Sequence, residues 1–190
     1  MRQSLLNTAQ NKASLRGIAK ELRLELLNSG QIDKISKQIV QNILNSDIFK
    51  RAKNVMLFYP LKGEINLLKL LECGDKNFYF PRCNGDELLV CPHCNDYKKN
   101  KYSIPEPLSE PLNTLDVLDI ILTPALCVDK NLYRLGYGAG YYDRFFKNEK
   151  IRALKIIPIS ENFLCEKIPA DEYDIPCDMA VFENRIMIRE

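Results

Sequence analysis

Leu118-Asp119-Ile120-Ile121-Leu122-Thr123-Pro124 and, shortly after it, Arg134-Leu135-Gly136-Tyr137-Gly138-Ala139-Gly140-Tyr141-Tyr142-Asp143-Arg144 are the two stretches around which the chain is organised. The first is a short apolar run ended by proline, which reads as a buried strand. The second places three of the eight glycines at alternate positions, brackets them with arginines and closes on an aspartate. Residues Tyr141 to Lys147 then have helical composition. The glycines therefore link the end of a strand to the start of a helix. Glycine reaches positive φ and lets a ligand approach the backbone closely, and successive N–H groups at such a turn suit an anion. Arg134 and Arg144 supply fixed charge and paired donors, and Asp143 supplies a hard oxygen suited to magnesium. Together these describe a place for a metal-bound polyphosphate. The same spacing equally suits an exposed turn, or a bulge that lets two elements pack closely. It is neither a P-loop nor the dinucleotide fingerprint, whose glycine spacing differs.

Working outward, the pattern alternates helices and strands. Leu15, Ile18, Leu22 and Leu26 predict an amphipathic helix from about Thr8 to Asn28, stopped by Ser29-Gly30. Lys12, Arg16, Lys20 and Arg23 share another face of it, for which a solvated charged surface is the default. A second helix follows on Ile32, Ile35, Ile39, Ile43 and Leu44 and ends near Asn45-Ser46. Asn54 to Pro60 reads as a buried strand, Lys62-Gly63 as a turn, and Glu64 to Leu71 as the start of a further helix, where Glu64 would favour the helix dipole. Asn77–Pro81 and Glu87–Cys91, joined by Asn84-Gly85-Asp86, read as a hairpin. Asp96 to Asn113 carries three prolines and reads as an irregular connection. Strands are expected at Ala153–Ile157, Met179–Phe182 and Arg185–Ile188. The class is α/β: a three-layer sandwich with a central, mostly parallel sheet covered by helices on both faces, in which ligands sit beyond the carboxyl ends of the strands.

Composition sets the bounds. The chain has 190 residues, 46% of them hydrophobic, and a net charge of +2. Residues 1–190 are thus expected to form one domain, with no electrostatic case for nucleic acid or a membrane surface. Met1 to Asn7 lacks the apolar centre of a secretory signal, and no apolar run approaches the roughly 20 residues of a membrane span. Seven scattered cysteines then suggest reduced thiols in the cytoplasm. Cys91-Pro92-His93-Cys94 offers half a zinc site or a redox pair. A structural zinc needs about four ligands, and the chain has no second such motif and no other histidine.

Arg-Leu-Gly-Tyr-Gly-Ala-Gly-Tyr-Tyr-Asp-Arg-Phe, from Arg134 to Phe145, resembles the signature of the 5-formyltetrahydrofolate cyclo-ligase family, the methenyltetrahydrofolate synthetases. Lys12-x-x-Leu15-Arg16, Tyr59-Pro60 with Glu64, Phe80-Pro81-Arg82, Ile104-Pro105-Glu106-Pro107 and Tyr173-Asp174 with Asp178 follow that family in order and spacing over nearly the whole chain. The resemblance implies ATP-dependent closure of 5-formyltetrahydrofolate to 5,10-methenyltetrahydrofolate, with ADP and phosphate released. It implies ATP and phosphate contacts from Lys12, Arg16, Arg134, Leu135, Gly136, Tyr137, Gly138, Ala139, Gly140, Tyr141, Tyr142 and Arg144. It further implies folate contacts from Tyr59, Glu64, Arg82, Tyr102 and Tyr142, and Mg2+ held by Asp143 and Asp174, with Asp178 competing for the second place. No covalent nucleophile is expected, the substrates are small molecules, and the protein is expected as a monomer or small homo-oligomer. Two positions depart from the family: Ala139 stands where glycine is common, costing about 1–2 kcal/mol if φ is positive there, and Tyr173 stands where histidine is frequent. A nucleotide-binding relative without this activity, an isomerase or coenzyme A transferase-like enzyme on a similar scaffold, and a thiol-metal protein are the competing readings.

Overall fold

The computed structural model describes residues 5–189. The first four residues, part of the stretch read above as lacking an export signal, and Glu190 lie outside them. Helix α1 (Lys12–Asn28) begins later than the apolar spacing predicts because Asn11 caps it. The Asn11 side chain accepts from the Ser14 N–H at 2.9 Å, and Ser14 Oγ accepts from the Asn11 N–H. This reciprocal cap fixes the first turn. Leu15, Ala19, Leu22 and Leu26 form its buried stripe. Helix α2 (Ile32–Asn45) follows, and Ser46 ends it while capping a short α3 (Asp47–Arg51) that buries Phe49.

Strand β1 (Asn54–Met56) is shorter than its apolar run. The expected helix at Glu64 does not form there. Glu64 instead closes a turn through its N–H to the Leu61 carbonyl, Gly63 takes φ +82°, and helical geometry starts only in a 3-10 turn at Leu68–Glu72. Strands β2 (Asn77–Asn84) and β3 (Glu87–Pro92) make the expected antiparallel hairpin. The stretch expected to be irregular carries a two-stranded ribbon, β4 (Tyr97–Lys99) and β5 (Pro105–Pro107), a short pairing outside the main sheet in which prolines are tolerated. Asn100 shapes its turn by accepting from the N–H groups of Tyr102 and Ile104.

Strand β6 (Ile120–Leu122) does not run directly into the glycine loop. A tight hairpin of β7 (Cys127–Asp129) and β8 (Arg134–Leu135) intervenes. Buried Asp129 holds it together, accepting from the N–H groups of Asn131 and Tyr133 on one oxygen and of Ile168 on the other. After the glycines come α4 (Tyr141–Phe146), β9 (Leu154–Pro158), β10 (Leu164–Cys165), β11 (Met179–Val181) and β12 (Ile186–Ile188).

The main sheet has the order β12-β11-β9-β6-β1-β2-β3. Its five inner strands run parallel, and each edge strand is antiparallel to its neighbour. Every residue of β6 and of β11 is buried. Successive side chains on a strand point to opposite faces, so both faces of the sheet are covered, as the three-layer reading requires. A second sheet, β10-β7-β8, carries the hairpin that leads into the glycine loop. No helix among the described residues is long and apolar enough to cross a membrane.

Candidate active site

Residues that follow β1 (Phe58, Tyr59, Leu61) and β6 (Pro124) border a cleft of about 770 Å³, together with α1, the glycine loop and the segment at Asp171–Asp174. The cleft therefore lies beyond the carboxyl ends of two adjacent parallel strands, where ligands of open α/β sheets bind.

The glycine loop forms one wall. Gly138 has φ +108° and Gly140 φ +70°. A Cβ at Gly140 would come within 2.8 Å of the Arg144 guanidinium, so a side chain there would be strained by the positive φ and would push that guanidinium aside. Ala139 is not among the described non-glycine residues at positive φ, so its departure from the family carries no backbone penalty. The helix after the loop spans only Tyr141–Phe146, which leaves the holding of an anion to the loop's N–H groups and to side chains. Leu135 is a buried residue of β8. Arg144 donates to the carbonyls of Asp86 and Ala139, and Tyr141 donates to that of Gly85. The bonds to Gly85 and Asp86 dock the loop onto the β2–β3 turn, and the one to Ala139 braces the loop itself. Arg16 donates from Nε to the Gly136 carbonyl at 3.0 Å, with its guanidinium against Gly138. Lys12, Arg16 and Lys20 all face the cleft, so this stripe of α1 is no mere solvated surface.

Arg134 is buried beside the loop. It donates to Asp143 Oδ1 at 2.9 Å and lies 5.4 Å from the ring centroids of both Tyr142 and Phe146, within cation–π range. Tyr142 lines the cleft. Its hydroxyl is enclosed with no protein partner, and burial pushes its pKa upward.

Lys12 spans the cleft mouth to Asp171, at 2.7 Å, and to Asp174. Burial works against protonating this amine, but the two carboxylates outweigh it and its pKa is raised. Asp143 and Asp174 thus border one cleft, each with one oxygen taken by a basic side chain. No cluster of three or more metal-ligating side chains occurs among the described residues. That donor set fits magnesium, which takes one or two carboxylates and completes its shell with phosphate and water. It does not fit a cation held in a cage of protein ligands. Asp178 is turned to the sheet, where it accepts from the Lys155 N–H at 2.8 Å, and it does not line the cleft.

The facing wall is aromatic. Tyr59 stacks on Phe80 with centroids 4.5 Å apart and meets Tyr97 edge-on. His93 Nδ1 lies 2.7 Å from the Tyr97 hydroxyl. The lone histidine therefore braces this wall, while the Cys94 thiol is turned to the Asp96 carbonyl. Tyr102 is half-exposed at the cleft edge. Arg82 is not among the lining residues. Its guanidinium is held by the carbonyls of Pro107 and Ser109 and fastens the β4–β5 ribbon to β2. Glu106 does reach the cleft, accepting from the Cys83 N–H and the Asn100 amide. Tyr173 is exposed at the mouth, with Lys147 4.4 Å from its ring centroid.

Beneath the cleft lies a network that helical spacing hides. Arg23 is buried, not solvated. It donates to Glu64 Oε1 at 3.1 Å, to the Tyr137 hydroxyl at 2.7 Å and to the Ala125 carbonyl at 2.6 Å. Tyr137 donates to the same Glu64 oxygen at 3.0 Å, and the Leu61 N–H donates to the other at 2.8 Å. Burial first, and the neighbouring Glu64 charge second, raise the Tyr137 pKa, so its hydroxyl stays a donor. The only available signal was the place of Arg23, where the basic stripe of α1 adjoins the apolar one.

The model of the 5-formyltetrahydrofolate cyclo-ligase family matches residues 8–183. The chain is 30% identical over 184 residues to the 5-formyltetrahydrofolate cyclo-ligase of Haemophilus influenzae, an alignment covering 90% of this chain and 96% of that protein. It is 24% identical over 195 residues to the mouse protein of the same name, covering 89% and 93%. The NMR structure of Aquifex aeolicus 5,10-methenyltetrahydrofolate synthetase superposes with a TM-score of 0.76 at 28% identity, covering 90% of this chain and 92% of that one. With a match along almost its whole length and a cleft built from the segments that carry the family's motifs, the chain belongs to the 5-formyltetrahydrofolate cyclo-ligase family.

Proposed function

We propose that the chain acts as one catalytic domain that converts 5-formyltetrahydrofolate to 5,10-methenyltetrahydrofolate with ATP, in the cytoplasm, as a monomer or small homo-oligomer. One observation carries this reading. Lys12 and Arg16 of α1, the glycine loop, Glu64 after β1 and the Tyr59 wall come from distant parts of the sequence and border a single cleft. Its volume of about 770 Å³ is in the range that encloses much of a small ligand.

An amide-like formyl oxygen is a poor leaving group until it is phosphorylated. In the proposed reaction that oxygen attacks the γ-phosphorus, the bond to ADP breaks, and an imidate phosphate forms. N10 of the folate then attacks the formyl carbon, the C–O bond breaks, the N10 proton is lost and phosphate leaves. The oxygen lost from the formyl group departs in the phosphate. The protein's part is positioning and charge neutralisation. Lys12, Arg16 and Arg144 border the place for the triphosphate with the loop N–H groups. Arg134 orients Asp143. Asp143 and Asp174 would hold magnesium, which neutralises charge on the phosphate oxygens. Glu64 offers an acceptor to ring N–H donors of the folate, and Tyr59 and the exposed part of Tyr142 offer apolar faces.

The test is to mix protein, 5-formyltetrahydrofolate, ATP and magnesium and follow the near-ultraviolet absorbance of the methenyl product. A rise that needs ATP and magnesium and is lost in Glu64→Gln is expected. A folded protein that binds ATP and folate yet forms no product would leave the second reading, a nucleotide-binding relative without this activity.

A further inference from the structure

Tyr137 is the residue of the glycine loop whose side chain reaches down to the Glu64 carboxylate on the cleft floor. It sits between Gly136, whose carbonyl Arg16 holds, and Gly138, which takes φ +108°. Its hydroxyl, Arg23 Nη1 and Glu64 Oε1 form a closed set in which each group touches the other two, at 2.7, 3.0 and 3.1 Å. The two charged members are enclosed, the Arg23 and Glu64 side chains being 8% and 4% exposed, while Tyr137 is 40% exposed and joins them to the open cleft. Arg23 arrives there past Gly63, where a Cβ would stand 2.8 Å from Arg23 Cγ. The same loop is held on its other side by Arg16, through the Gly136 carbonyl. An anion that draws Arg16 away from that carbonyl releases the loop at Gly136. The displacement then reaches Tyr137, and through it the charge and hydrogen bonding of Glu64.

We propose that Arg23 is a positioning residue that ties Glu64 to the glycine loop through Tyr137, so that nucleotide and folate bind this cleft with coupled affinities. The inference rests on the reading above, in which the loop serves the nucleotide and Glu64 the folate. Coupling between two ligands is reciprocal. Filling the loop changes the partners of Glu64, and engaging Glu64 changes the hold on Tyr137.

The experiment measures the Kd of β,γ-imido-ATP by calorimetry without folate and with saturating 5-formyltetrahydrofolate, in magnesium. The ratio of the two values is the coupling factor, in which changes to the basal affinity of a variant cancel. A factor of about fivefold or more is expected for the parent protein. Tyr137→Phe, which keeps the ring and removes the hydroxyl, is expected to bring it towards one. Arg23→Lys keeps the charge beside Glu64 but cannot hold Glu64, Tyr137 and the Ala125 carbonyl together, and should lower the factor as well. If that variant does not fold, Tyr137→Phe decides alone. A parent factor of one, or an undiminished factor in Tyr137→Phe, overturns the coupling while both ligands still bind. Failure of the parent to bind folate at all overturns the reading of the site, and the coupling with it.

Discussion

On the floor of the cleft Arg23 faces Glu64 with both side chains buried; Tyr137 and two backbone groups partner the guanidinium Nη atoms and the carboxylate, and Arg23 Nε alone is left without a partner. At the rim Lys12, 21% exposed, faces the open Asp171, 55% exposed, and the more sheltered Asp174, 15% exposed. Both are ion pairs between α1 and a distant segment, yet they obey different physics. A buried pair has given up its hydration, and losing one partner strands the other. An exposed pair is screened by salt and contributes little. The floor is therefore costly to break, and the rim is cheap to rearrange when phosphate arrives. Arg134 and Asp143 stand between these cases, with the arginine buried and the carboxylate partly open.

The largest effect should follow from breaking the floor. Arg23→Met leaves the Glu64 carboxylate buried without its cation and is expected to lower stability by about 3–5 kcal/mol, read from urea unfolding. A loss no larger than that of a surface substitution would mean that water reaches Glu64 and that floor and rim do not differ. Next comes the intermediate pair. Asp143→Asn keeps an acceptor for Arg134 but removes the charge, and kcat is expected to fall on the order of 100-fold with the fold intact. Retained turnover would reduce Asp143 to an anchor for Arg134. A smaller effect tests the uncharged wall. Tyr59→Leu removes the ring stacked on Phe80 and should raise the KM for folate about five- to tenfold, leaving the KM for ATP alone. If both values rise together, the wall is structural and does not face the folate.

Floor and rim were also unequally legible in the sequence. The α/β class was readable because the inner strands are buried on both faces and so appear as continuous apolar runs, as in Ile120-Ile121-Leu122. The glycine loop was readable because its glycines, arginines and aspartate are contiguous. The floor was not. Helical spacing assigns Arg23 to the basic stripe, and its partners Glu64 and Tyr137 lie far along the chain, so only folding shows that this one guanidinium turns inward. The β7–β8 hairpin leaves little trace in the sequence because its strands are two or three residues long and its organiser, Asp129, is a buried carboxylate spent on three backbone N–H groups. Glu64 was found with its motif but misplaced at a helix start, since a turn at Gly63 and a helix cap share the same residue types. Arg82 stands beside the cleft in sequence, yet it is held away from it by two carbonyls whose position depends on the β4–β5 ribbon.

The smallest predicted effect is the one that separates the rim from the floor most cleanly. Asp171→Asn removes one of the two charges that hold Lys12, and the Asp171 position is exposed, so the midpoint of urea unfolding should not move measurably. The KM for ATP should fall by about twofold at low salt, because the Lys12 amine then has one competing carboxylate fewer. The difference should vanish at high ionic strength. The pH limits follow from the signs. The Lys12 pKa is raised above its ordinary 10.5, so its contribution is complete below 10.5 and is lost only as pH climbs through the higher folded value. The bond from Lys12 holds the Asp171 carboxyl below its ordinary 3.8, so that contribution is complete above 3.8 and is lost as pH falls through the lower folded value. Between those limits both charges are present, and a change in the KM for ATP measured anywhere in the neutral range reports competition for Lys12 and not its titration. An unchanged KM at low salt would show that the phosphates do not draw on Lys12, and would return it to the solvated surface that its helical spacing first suggested.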